Sequence, residues 1–407
     1  MKVVVIGAGP SGLLSAIYAA KQGNDVVILE RNNKIGKKLL MTGNGKCNYF
    51  NKDMNLNHYY SNNPEYLKDI INPNNTQQIL KLLSSIGIDP KIKNGYYYPY
   101  SNKAISVKDA LVKECKLLNV KFITDFLVEK IIKEEKFVIK SKTNKIIADK
   151  VILATGSKAY PKTGSDGLGY VLAANFNHQI IKPLPALTGL HIKENYSKKW
   201  TGVRQEALLS LFEDDTLVKQ ENGEVQFTDY GISGICVFNL STLVSKGLEA
   251  NKKEQITINF LPFLENNTID SAINYLNERN EKVADRTIFE LLEGLLDYKL
   301  IKIILEKSNI DPEKYFNELN KKEKQHFAEN LIALKLNIVT TNFFDNSQVC
   351  SGGVSLEGIN PQTMESKIVK DLYIVGELLD VSGDCGGYNL AFAFITGMIA
   401  GKGTKSA

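Results

Sequence analysis

Two stretches near opposite ends of this sequence carry the residue types that handle phosphates, sugars and planar rings. The first is Gly7-Ala-Gly9-Pro-Ser-Gly12, set directly after the β-branched run Val3 to Ile6 and ahead of the helix-compatible Leu13 to Lys21. Glycines at this spacing have separate tasks: Gly7 makes the turn, Gly9 lets a pyrophosphate approach the backbone, and Gly12 lets the helix lie close to the strand. The N-terminus of that helix offers free N–H groups and a partial positive charge. Glu30 closes a second apolar run and stands 18 residues past Gly12, where a carboxylate takes both hydroxyls of an adenosine ribose. Such an acid argues against a 2′-phosphate, although Arg31 beside it leaves room for one.

The second stretch begins at Asp371-Leu-Tyr-Ile-Val-Gly-Glu377, a strand ending in Gly-Glu. After the loop Leu378 to Cys385 comes Gly386-Gly-Tyr-Asn389, which opens a tightly packed helix to Gly401. Glu377 suits the ribityl hydroxyls of FAD, and the helix start suits O2 of a flavin, where it stabilises negative charge on the reduced ring. A third buried run, Val151-Ile-Leu-Ala-Thr-Gly156, ends in the same kind of glycine turn. NAD has no ribityl chain, so the three elements favour one FAD site over a nicotinamide site.

These elements need a frame, and composition sets its limits. A chain of 407 residues exceeds what one core usually fills, so two or three domains are expected. Hydrophobic content of 43% and charged content of 23% are those of a soluble protein. No apolar stretch reaches membrane-spanning length and the first strand starts at the N-terminus, which points to the cytoplasm. The five cysteines, at 47, 115, 236, 350 and 385, are scattered without CxxC spacing, which disfavours disulfides and zinc. Four scattered histidines give little material for a metal centre or a His-based triad. Residues 1–188 carry 27 Lys+Arg against 14 Asp+Glu. That excess fits either a face for a polyanion or, the plainer reading because no dense run forms, a solvated surface.

Between the two ends the pattern changes several times. Residues 31–51 form a glycine-rich basic loop over the nucleotide site, in which Lys37, Lys38 and Lys46 can neutralise phosphate. Gly43 and Gly45 can lay backbone flat against a ring. Residues 64–118 read as mainly helical, interrupted by Gly95-Tyr-Tyr-Tyr-Pro-Tyr100, a strand by its β propensity and otherwise a stacking surface. A meander of short strands follows from Val120 to Ile147. Beyond residue 185 come strands at 187–192 and 207–212, then a hairpin turning at Asn222-Gly223. Ser233 reads as the N-cap of a helix to about Leu248, because Gly231-Ile-Ser-Gly-Ile is not a hydrolase elbow. From Thr268 to about Lys335 the apolar spacing is helical.

With these residues assembled, the chain resembles the BaiN-like (YhiN-type, aminoacetone oxidase-like) family of NAD(P)/FAD-dependent oxidoreductases. The matching stretches are 4–12, Ile35 to Asn48, Ala154 to Ser157 with Lys162 to Gly167, Thr228 to Gly234, Ser351 to Val354, Met364 to Lys367, and Gly376-Glu377 with Gly386 to Asn389. The resemblance implies an α/β fold: a Rossmann-like two-dinucleotide-binding FAD domain (1–186 and 341–407) with an inserted β-barrel-like domain (187–262) and a helical part (263–340). It implies FAD contacts at Gly7, Gly9, Pro10, Ser11, Gly12, Glu30, Arg31, Lys38, Leu39, Thr42, Gly43, Gly45, Cys47, Asn48 and Val128. Further contacts follow at Ala154, Thr155, Gly156, Gly164, Asp166, Gly376, Glu377, Asp380, Gly386, Gly387, Tyr388, Asn389 and Leu390. Two residues depart from the pattern: Ile235 stands where proline often follows Ser-Gly, and Cys350 where threonine is common. Cys350 bears on the substrate pocket.

The reaction implied is reduction of a conjugated C=C bond by NAD(P)H through the flavin, with hydride going to one carbon and an acid protonating the other. Members have been linked to steroid-like bile acids and to uridine of ribosomal RNA, giving dihydrouridine. Cys47 and Cys385, in glycine-rich loops, are the candidate acids, though a cysteine more often just packs. Gly164-Ser-Asp-Gly-Leu-Gly169 has the wrong order for a second dinucleotide turn, so NAD(P)H would dock transiently. The partner is then a small molecule or structured RNA, with no membrane and no metal. Alternatives are an oxidase of a small amine or alcohol using O2, a flavin-dependent RNA methyl transferase, and an FAD-bound RNA-binding protein.

Overall fold

The β-branched runs singled out above pair with one another. Five strands form a parallel sheet in the order Leu372–Ile374, Lys150–Leu153, Lys2–Ile6, Asp25–Leu29, Lys121–Ile123. Strands from residues 2 and 372 thus flank the same neighbour, Lys150–Leu153. Near-continuous apolar runs are what a parallel sheet covered on both faces requires, and Val3, Val4, Val5, Val151, Ile152, Leu153 and Leu372 are all fully buried. The computed structural model describes residues 1–283 and 285–405. Ala284, Ser406 and Ala407, which fall within the ranges given above, lie outside the described residues.

The chain divides into two compact units, Met1–Pro185 with Phe344–Ala407, and Ala186–Phe343. In the first, the opening helix Pro10–Lys21 packs along the last helix Tyr388–Gly403. The last helix is apolar on every side, the mark of a helix inside a core, and is buried almost throughout. Its close approach rests on Gly397 and Gly401, where a Cβ would collide with the Ser11 and Ser15 carbonyl oxygens. The tyrosine run forms a strand, Tyr96–Pro99, paired with Pro90–Lys93 and Phe50–Asn51. Its rings are half-buried, while Tyr100 beyond it is exposed.

The second unit has its own core around a closed six-stranded barrel, in the order Leu190–Ile192, Gly231–Ser233, Thr216–Phe227, Arg204–Glu213, Glu254–Asn259, Leu334–Thr341. Four helices, Ile269–Lys282, Ile288–Leu292, Tyr298–Ser308 and Lys321–Ile332, follow the strand Glu254–Asn259. They are capped by Thr268, Thr287, Asp297 and Asn320 through side-chain bonds to backbone N–H groups. Two expectations fail here. The hairpin turns at Asp214-Asp215, both at positive φ, and Asn222 and Gly223 lie inside a continuous strand opposite Leu208 and Ala207. At Gly223 a Cβ would make an ordinary van der Waals contact, 3.5 Å from Cys236 Cβ on the helix Ile235–Glu249. Ser233 belongs to a strand and the helix is capped by Gly234 with no side-chain bond, so the N-cap reading was wrong.

This unit also buries an ionisable group. Glu254 is 1% exposed, faces Glu213 across the ladder, and has no hydrogen-bond partner on either carboxyl oxygen. Burial, and after it the Glu213 charge, pushes its carboxyl from the ordinary 4.5 up to about 7.

Candidate cofactor-binding site

The glycine turn is built by exclusion. Gly7 has φ +106°, and a Cβ there would overlap the Ala154 carbonyl; a Cβ on Gly12 would overlap the Gly7 carbonyl. Strand end, helix start and the Ala154-Thr155-Gly156 segment are thus in backbone contact. At Gly9 a Cβ would meet nothing within 4 Å. Gly9 caps the helix at φ −80°, ψ −176° without a side-chain bond, and Pro10 lies in the first turn. Its N-terminal N–H groups therefore have no side-chain cap.

Glu30 directly follows the strand Asp25–Leu29, is 8% exposed and is held in one orientation. Its carboxylate accepts the Ala8 N–H at 2.9 Å and, from Asn32, the backbone N–H and the side-chain amide, each at 2.8 Å. Asn32 had no part in the sequence reading; an amide two residues after a carboxylate is too common to stand out. Val128 is buried two residues past Phe126, whose N–H bonds the Glu30 carbonyl. Arg31 pairs with Asp166 at 2.5 Å and donates to the Gly164 carbonyl at 3.3 Å. Burial raises the Asp166 carboxyl, but the Arg31 hydrogen bond and charge, with the Leu168 N–H, outweigh it and hold it below its ordinary value.

In the basic loop, Thr42 is extended, and Gly43, Asn44, Gly45 and Cys47 all have positive φ. Thr42 donates through its hydroxyl to Leu39 and accepts from the Cys47 N–H. Leu39 and Cys47 are buried. Burial pushes the Cys47 thiol up to about 12, against a smaller opposing hydrogen bond from Thr42. Lys37 donates to Asn32, Lys38 to Glu377 at 2.5 Å, and Lys46 is exposed. With its amide set to match its neighbours, Asn48 donates to the Tyr97 and Phe50 carbonyls and accepts from the Gly387 N–H.

The closing stretch meets both of these. A Cβ on Gly376 would lie 2.5 Å from Ser11 Oγ, and the Gly376 N–H bonds Thr396 Oγ1. Glu377 Oε2 accepts from Lys38 and from Ser157 Oγ. Asp380 is buried and accepts the Asn62 N–H. Gly387, at φ +93°, lies against the Phe50 backbone and caps the last helix without a side chain. Asn389 ties that helix to the preceding loop through the Gly383 N–H and carbonyl, each at 2.8 Å. Tyr388 and Leu390 are buried and Cys385 is half-buried.

Sequence reasoning gave no role to Ser157 or Tyr170, which gather with Lys38, Glu377 and Cys350. The Tyr170 hydroxyl lies beside Cys350 without hydrogen-bond geometry, and burial, then the neighbouring Cys350 and Glu377 charges, drives it far up. Burial also raises the Cys350 thiol, against the Ser157 bond and the Lys38 charge.

FAD suits these residues. A buried, oriented carboxylate binds the Ala8 N–H two residues before an uncapped helix start, and a Cβ on Gly9 would meet nothing within 4 Å. A second uncapped helix start follows Gly387, and the Ser382 hydroxyl before it is buried without a partner. Among the described residues no group of three metal-binding side chains converges, and no helix is long and apolar enough to cross a membrane.

A Rossmann unit closed at both ends in this way defines an FAD-dependent oxidoreductase. The chain belongs to the HI0933-like family, since the HI0933-like protein Rossmann domain matches residues 1–403. It is 38% identical over 404 residues, 98% of each chain, to the 3-dehydro-bile acid delta(4,6)-reductase of Clostridium scindens. It is 28% identical over 396 residues, 96% of this chain and 95% of the other, to the ribosomal RNA dihydrouridine synthase of Haemophilus influenzae. Among solved structures it is similar in fold to a 3-ketosteroid-delta4-(5alpha)-dehydrogenase from Rhodococcus jostii. That match has a TM-score of 0.50 and 14% identity, covering 100% of this chain and 96% of that one.

Proposed function

We propose that this oxidoreductase uses NAD(P)H to reduce a C=C bond conjugated to a carbonyl, on a small steroid-like molecule. The observation that carries this reading is the end-to-end likeness to the Clostridium scindens reductase, which leaves no domain of either chain unmatched. FAD, when bound, supplies the two-electron chemistry between nicotinamide and substrate. Glu30 would hold the adenosine ribose, the Gly9–Gly12 helix start the pyrophosphate, and Glu377 the ribityl chain. The start of the last helix would place its N–H groups and partial positive charge at the ring. Of the two candidate acids, Cys47 is the worse proton donor, because a thiol at about 12 gives up its proton only to a strong base. Cys385, half-buried just before the last helix, is the better-exposed acid.

A second reading, uridine reduction in structured RNA, draws on the charge excess of residues 1–188 and on the Haemophilus influenzae relative. The test begins with purified FAD-loaded protein under anaerobic conditions. NADH or NADPH should bleach the flavin, and a 4,6-dien-3-one steroid should restore its colour. Bleaching without reoxidation by the steroid, together with loss of one dihydrouridine from ribosomal RNA on gene deletion, would favour the RNA reading. No bleaching by either nucleotide defeats both.

A further inference from the structure

The segment 48–62 lies along 380–388 almost residue by residue. Asn62 bonds Asp380, Tyr60 pairs with Ser382, Tyr59 pairs with Gly383, and Asn51 donates to the Gly386 carbonyl. Within this zip His58 and Tyr60 both meet the Asp384 carboxylate. His58 Nδ1 lies 3.1 Å from Asp384 Oδ2 and Nε2 lies 3.3 Å from Asp53 Oδ2, while the Asp384 N–H bonds the His58 carbonyl. Tyr60 OH donates to the other oxygen of Asp384 at 2.9 Å. The imidazole is stacked on Tyr388, centroids 4.6 Å apart and planes 20° apart. Whichever ring nitrogen carries a proton can donate it to the carboxylate it faces.

Resting on the FAD reading above, we propose that His58 is a positioning residue for the flavin end of the cofactor. Held between Asp384 and Asp53 and stacked on Tyr388, it fixes segment 380–388 in the shape that presents the start of the last helix to the ring. Asp384 is 5% exposed, and a buried carboxylate that loses a ring donor must rearrange or rehydrate. The residues that would move with it, Cys385 to Tyr388, are those at the helix start. Leu56–His58 is a short turn fed by a series of Asn and Asp side-chain bonds, Asn51 to the Asp53 N–H, Asp53 to the Asn55 N–H and Asn55 to the Asn57 N–H. The ring is thereby delivered from the far side of the loop it braces.

The test measures FAD dissociation constants and bound-flavin visible circular dichroism for wild type, His58→Gln, Asp384→Asn and the double variant. Apo-protein melting is recorded for each. Each single variant should bind FAD about tenfold more weakly, the loss of one hydrogen bond to a charged group. Each should also show an altered flavin spectrum, with apo melting lowered by the lost buried bond but the fold retained, and the double variant should bind FAD no more weakly than either single one. A His58→Gln chain that binds FAD with wild-type affinity and spectrum overturns the proposal, as do single effects that simply add. Asp384→Asn carries the same test should His58→Gln fail to fold. A wild type that stays colourless with FAD ends the FAD reading and this inference together; a yellow wild type with unchanged variants ends only the inference.

Discussion

The opening turn and the closing loop are held in shape differently. Residues 7–12 are shaped by what is absent: no side chain separates Gly7 from Ala154 or Gly12 from Gly7. Residues 376–389 combine such close approaches, at Gly376 and Gly387, with side-chain ties: Asn389 on Gly383, Asp380 on the Asn62 N–H, His58 on Asp384 and Asn48 on Gly387. The first stretch is fixed by backbone contact alone. The second adds ties that can be removed one at a time.

The substitutions that probe this contrast differ in size. Gly12→Ala should be the most damaging, at about 4 kcal/mol or more, because the colliding atom is backbone and cannot step aside; a chain with a wild-type urea midpoint would break the steric account. Gly9→Ala should leave apo stability within about 0.5 kcal/mol of wild type, since nothing lies within 4 Å of the new methyl. It should weaken FAD binding about a hundredfold, which fluorescence titration reads directly. Asn389→Ala should cost about 2 kcal/mol through the Gly383 bonds, with a smaller loss of FAD affinity. A fold-only control comes from the barrel unit. The folded Glu254 carboxyl keeps its proton up to about 7 whereas the unfolded one loses it near 4.5, so stability falls as pH climbs through that interval and stays down above it. Glu254→Gln should flatten that slope and, at about pH 8, gain on the order of 2 kcal/mol with FAD affinity unchanged, as melts across pH would show. Asp166→Asn should do least, about 0.5 kcal/mol, because the Arg31 pair is partly exposed to solvent and salt.

The same contrast explains what could be read from the residues alone. Gly7 and Gly12 announce themselves, because a turn that admits no Cβ at either leaves a fixed spacing in the chain, and Gly9 and Glu30 stand at set intervals within that pattern. Both ends of the parallel sheet were legible for a similar reason: buried strands are uninterrupted apolar runs. His58, Asn32, Ser157 and Tyr170 were not, since their roles depend on neighbours 2 to 326 residues away and their types are ordinary in loops. The misplaced hairpin has a local cause. Asn-Gly is a strong turn signal, but Asp214-Asp215 takes the left-handed backbone instead, and Asn222-Gly223 stays paired in mid-strand.

The grip of Gly397 and Gly401 on the Ser11 and Ser15 carbonyls bears on how the chain is made. A polypeptide leaving the ribosome completes its first helix long before its partner, residues 388–403, is synthesised, and the whole barrel unit emerges in between. Until that late segment arrives, the face of the first helix that it covers stays exposed. A product truncated before residue 388 therefore presents apolar surface of the kind that chaperones and proteases recognise.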